Sequence, residues 1–175
     1  MRPLLRWREL WAETRGVEIA EAAAVLPLMF MVLLGIFWFG QAFSIYGAIT
    51  RAAQEGARAG AAPYCTTCSS PNSAATNAAN AVQTALLASK LDPTLMRSGT
   101  APSLNYCGAP VVSCPANGAC VELPVQLSTG SGGSSGVCGI SVSFQYPFRF
   151  WLPFTSLNKQ TIYLSASARV RMETQ

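Results

Sequence analysis

Between Ala22 and Phe39 the chain reads AAAVLPLMFMVLLGIFWF, eighteen residues without a charge. Such a run nearly crosses a hydrocarbon core about 30 Å thick, and Gly40 to Tyr46 can extend it. A secretory signal peptide is the competing reading, but its apolar region is shorter and is followed by a small-residue cleavage site. Here the run is longer and no convincing small-x-small site precedes a polar start. The sequence therefore predicts one membrane-spanning helix. Arg2, Arg6, Arg8 and Arg15 precede the run, whereas only Arg51 and Arg58 follow within twenty residues. That bias predicts a single-pass protein with a cytoplasmic N-terminus and an exported C-terminal domain.

Cysteine placement points the same way. All six (Cys65, Cys68, Cys107, Cys114, Cys120 and Cys138) follow the run and none precedes it. An even number on the exported side predicts three disulfides in an oxidising compartment, with the pairing left open. The Cys65-x-x-Cys68 spacing also fits a thiolate metal site or a redox pair. Without histidine, a second Cys-x-x-Cys or a βαβ context, neither reading gains support, and no metal or cofactor is expected.

Helical character is expected from Val17 to Gly60, about 66 Å at 1.5 Å per residue, which is twice a membrane's need. Pro27 removes one donor inside it, and a local bend is expected there. Past the membrane, Arg51, Gln54, Glu55 and Arg58 share one side, while Ala48, Ala52, Gly56 and Gly60 recur every fourth residue on another. That small-residue stripe would admit either a second membrane helix or the chain's own ectodomain. Residues 72–91 read as an alanine-rich helix with Ala75, Ala79, Val82, Leu86 and Leu87 inward. Residues 102–120, rich in proline and cysteine, read as stapled loops. Strands are expected over 120–127, 139–148 and 161–172, the first two joined by the flexible run STGSGGSSG. On the last, Ile162, Leu164, Ala166, Ala168, Val170 and Met172 share a face. The expected class is α+β: a long N-terminal transmembrane helix extending into a small ectodomain, with a second helix and an antiparallel sheet of three or more strands. The segments are a basic leader (1–16), the helix (17–60) and a disulfide-bearing domain (61–175).

Catalytic chemistry finds no footing. Beyond residue 62 the only acidic residues are Asp92, Glu122 and Glu173, far apart in sequence, and no serine has a histidine base. The net charge of +4 is spread thinly, without the basic run that nucleic acid would need. The unusual charges are Glu18 and Glu21, three residues apart at the head of the apolar run. A carboxylate at that depth needs a partner unless it sits among headgroups, where the helix dipole favours it.

Two stretches, RGVEIAEAAAVLPLMFMVLLGIFWFGQAF and ITRAAQEGARAGA, resemble the TadE-like pseudopilins of the tight-adherence (Tad, or Flp) pilus, and ISVSFQYPFRFWLPF and IYLSASARVRME resemble the family's closing strands. The resemblance implies a prepilin-peptidase cut between Gly16 and Val17 that removes the four leader arginines. It implies that Glu21, five residues after Gly16, pairs with the Val17 amine of a neighbouring subunit and sets register. It further implies a non-enzymatic minor pilin-like subunit of a bacterial inner membrane, periplasmic in its C-terminal domain. After assembly the subunit would stand in an extracellular pilus. Its partners would be other pilins, the assembly machinery, the peptidase and membrane lipid. The alternative of another class is a signal-anchored surface adhesin or binding module, which needs no processing after Gly16.

Overall fold

The computed structural model describes residues 14–62, 71–99, 104–128, 137–149 and 161–172. Its first element, α1 (Thr14–Ala61), is one helix of 48 residues, about 72 Å at the standard rise, with Pro27 inside it. The chain divides into two compact units within this helix, Met1–Ala42 and Phe43–Gln175. In the first unit every residue from Ile19 to Leu34 is exposed, almost all of them apolar.

The second unit holds the rest of α1, a second helix α2 (Pro71–Ala88) and a sheet. The α2 helix ends three residues earlier than its composition suggests. Lys90 takes a left-handed φ of 58°. There the N–H of Leu91 reaches the carbonyl of Leu86, and that of Lys90 reaches Leu87, each at 2.9 Å. This pattern closes the last turn and stops the helix. A single 3-10 turn (Pro93–Leu95) follows, capped by Asp92.

The sheet is antiparallel throughout and has five strands: β1 (Arg97–Ser98), β2 (Tyr106–Ser113), β3 (Cys120–Gln126), β4 (Cys138–Arg149) and β5 (Thr161–Arg171). Strand β4 is central. Along one edge it pairs with β5 from Gly139↔Arg171 to Arg149↔Thr161. Along the other it pairs first with β3 and then, at Phe144 and Gln145, with β1. Strand β2 flanks β3. The α+β class is as expected. The stretch 102–120 is not all loop, however, because β2 lies inside it. Its exposed backbone is ordered by pairing to β3 rather than by an alternating apolar pattern, so its composition conceals it.

One face of the sheet carries Val121, Leu123, Ile140, Val142, Phe144, Tyr146 and Ala166, all buried, and the helices cover it with Ile49, Ala52, Ala53, Ala57, Ala78, Val82 and Leu86. Leu87 points outward at 63% exposure. It lies one residue, about 100°, beyond Leu86, so the inward row is Ala74, Ala75, Ala78, Val82 and Leu86, with Ala79 half-buried. Among the described residues two disulfides lock this unit. Cys107–Cys138 joins β2 to the start of β4, and Cys114–Cys120 closes the β2–β3 turn. Cys65 and Cys68 lie outside the described residues.

Candidate functional site: the exposed apolar helix

The candidate site is the first half of α1 and the carboxylate near its head. Ile19, Met31 and Phe43 are 72%, 76% and 72% exposed, while Ile49, six residues after Phe43, is fully buried. One helix therefore changes role along its length, from a rod apolar all round to a helix with a packed face. A rod apolar all round has no stable place in water and matches a hydrocarbon environment. By length and composition, residues Ile19–Ala61 can cross a membrane.

Glu21 is exposed and stands ahead of this rod. Gly16 and Val17 lie in the helix, two and three residues after its first residue, Thr14. Glu18 follows on the same helix, three residues before Glu21.

The small-residue stripe has an observed use. Ala52, Gly56 and Gly60 are buried and Ala48 is half-buried. A Cβ placed on Gly56 would run into the Val82 side chain and stand 3.1 Å from the Ala78 carbonyl oxygen. One placed on Gly60 would stand 2.5 Å from Ile140 Cδ1 and 3.0 Å from Ala78 Cβ. Both glycines thus let α1 close on α2 and β4. The opposite side, with Arg51, Gln54, Glu55 and Arg58, faces solvent, and Glu55 and Arg58 form an exposed pair at 3.4 Å. Between α1 and α2 a groove of about 580 Å³, lined by Ala59, Ala81, Thr84, Ala85 and Ala88, opens beside that pair.

Three further polar arrangements escaped the sequence reading. Glu122 turns to the sheet face away from the helices, opposite Ser141, yet is buried there, and its Oε1 accepts the Tyr106 hydroxyl at 3.3 Å. Desolvation, and then the Glu122 charge, hold the Tyr106 phenol above its usual range. The Tyr146 hydroxyl accepts the Asp92 N–H at 3.1 Å, and burial pushes its phenol up as well. Cys114, Cys120 and Glu122 have donor atoms within 4.8 Å of one another, but both sulfurs are joined in the disulfide. A single carboxylate beside a disulfide makes a poor metal ligand set.

Residues 16–58 match the family model described as TadE-like protein. This segment is similar to TadE-like proteins. The match begins at Gly16, spans the exposed apolar rod and ends within the buried stripe. It therefore lies within α1 and does not extend to the disulfide-bearing sheet. The match covers 43 of the 175 residues. Comparisons with curated proteins and with solved structures found no match.

Proposed function

We propose that this chain is a minor pilin-like, non-enzymatic subunit of a Tad-type pilus, held in the inner membrane by α1 with its N-terminus cytoplasmic until assembly. The observation that carries the reading is the coincidence of the TadE-like match with a helix whose first half is apolar and exposed on every side. Such a surface is stable in lipid, and it is equally stable in a bundle of like helices. Moving between those environments costs little, because both are apolar and neither leaves backbone groups unpaired. A peptidase cut after Gly16 would remove Arg2, Arg6, Arg8 and Arg15 and free the Val17 amine. Glu21 would then meet the amine of a neighbouring copy, and the pair would select one axial register.

The test has two arms. N-terminal sequencing of the protein from its native membrane should begin at Val17; a chain beginning at Met1 would favour the signal-anchored adhesin instead. Glu21→Gln should insert and be cut normally yet fall at least several-fold in sheared pilus fractions, because an unpaired amine in a low-dielectric bundle costs several kcal/mol. Glu18→Gln is the control, with an expected effect well under ~1 kcal/mol for a headgroup-level carboxylate. Equal assembly of Glu21→Gln and parent would remove the register role.

A further inference from the structure

The sheet face turned away from the helices gathers four arginines that the sequence scatters. Residues opposite one another in an antiparallel ladder share a face. Arg171 opposes Gly139, Arg169 opposes Ser141, Arg149 opposes Thr161, and Arg97 on β1 opposes Gln145. These β4 positions differ by even numbers, so all four arginines stand on one side of the sheet. Ser165, Ser167 and Tyr163 of β5 share that side, opposite Gln145, Ser143 and Pro147. The track from Arg149 and Thr161 at one end to Arg171 at the other is about 33 Å long at the usual rise per strand residue.

The exposed charge on this track is all positive among the described residues. All four arginines are exposed, as are Ser165 and Ser167, and none of the four forms an ion pair there. Arg149 donates from Nε to the Thr161 hydroxyl at 3.2 Å, and the Arg97 guanidinium lies 4.6 Å over the Tyr163 ring. Of the described acids of this unit, Glu55 pairs with Arg58 and Asp92 holds its cap; Glu122 lies on this same face, opposite Ser141, but is buried there against Tyr106. Guanidinium groups recognise carboxylates in a two-point geometry, and hydroxyl side chains between them suit a ligand that itself carries hydroxyls.

We propose that this face binds a linear acidic polysaccharide, with Arg169 and Arg171 holding carboxylates at one end, Arg97 and Arg149 at the other, and the serines contacting sugar hydroxyls between. Single-stranded nucleic acid fits less well, because it needs a row of aromatic platforms and the only described ring on the track is already covered by Arg97. The proposal does not rest on the pilus role, since a signal-anchored module would carry the same face.

The test uses the full-length protein in neutral phosphatidylcholine nanodiscs with four probes: polygalacturonate, uncharged dextran, an oligothymidylate and phosphatidylglycerol vesicles. Polygalacturonate should bind, weakening steeply with salt, and dextran should not. Arg169→Gln/Arg171→Gln and Arg97→Gln/Arg149→Gln should each lose about tenfold in affinity, the loss of charge-assisted contacts at one end. Arg51→Gln and Lys90→Gln, away from the face, should bind like the parent. The charge-keeping Arg169→Lys/Arg171→Lys should recover part of the loss, which separates a binding defect from a folding one. The proposal is overturned if polygalacturonate does not bind, if the paired Gln variants bind like the parent, or if Lys and Gln variants lose binding alike. It is also overturned if oligothymidylate or the vesicles bind more tightly through the same arginines.

Discussion

At Gly56, α1 comes so close to α2 that a single added carbon would overlap Val82 and crowd the Ala78 carbonyl, an atom of rigid backbone. Gly56→Ala should therefore destabilise the sheet-bearing unit by about 1–2 kcal/mol: overpacking costs about 1–3 kcal/mol, and better helix propensity returns up to about 1. Gly47, nine residues earlier on the same helix, has nothing within 4 Å of the same added carbon, so Gly47→Ala should cost nothing. Thermal unfolding of the two variants beside the parent checks the contrast, and equal losses would mean that close approach is not what Gly56 provides. The four-residue recurrence of Ala48, Ala52, Gly56 and Gly60 was legible in the sequence. What filled the space was not, because Val82 and Ile140 are distant along the chain and only folding brings them there. Glu122 is a similar case. Its position in a strand could be read, but its burial depends on Tyr106 and the chain around it.

Among the elements, α1 was the most legible, since an uncharged run followed by helical charge spacing leaves few alternatives. Strand β2 was the least legible. Cys107, Gly108 and Pro110 break its pattern, and it holds its place through β3 and two disulfides rather than through an apolar face. Those disulfides should contribute unequally. Cys107–Cys138 spans 31 positions and Cys114–Cys120 only 6. In the chain-entropy account the longer loop restrains the unfolded chain more, so Cys107→Ser/Cys138→Ser should cost about 4 kcal/mol and Cys114→Ser/Cys120→Ser about 2. Denaturant unfolding under oxidising conditions measures both. An equal or reversed order would show that the shorter bridge acts on the native turn instead.

For the molecule as a whole, stability should form a plateau bounded by acid and by alkali. The Asp92 carboxylate accepts the Thr94 hydroxyl at 2.7 Å and the Thr94 N–H at 2.9 Å, which holds it below its ordinary 3.8. A depressed carboxylate stabilises the folded chain above its unfolded pKa, so this contribution is intact at neutral pH and fades as pH falls below 3.8. Tyr106 and Tyr146 are raised above 10.0; their contribution is complete below that value and is lost as pH climbs past it. Melting temperature measured against pH should fall on both sides, and Asp92→Asn should flatten chiefly the acid limb, because the Asp92 charge is the smallest of the causes acting on Tyr146. By itself the sequence determined the long apolar helix, the α+β class and the segments that become helix and long strand. Those follow from local chemistry: an uncharged run, a period of 3.6 residues, a period of two. Only the tertiary structure decided which cysteines among the described residues pair, which partners fill the glycine stripe and which charges share a face. Arg97, Arg149, Arg169 and Arg171 are spread over 75 residues, and strand register alone sets them side by side. Register is fixed by burying Ile140, Val142 and Phe144 beneath the helices, a constraint that no short stretch of chain contains.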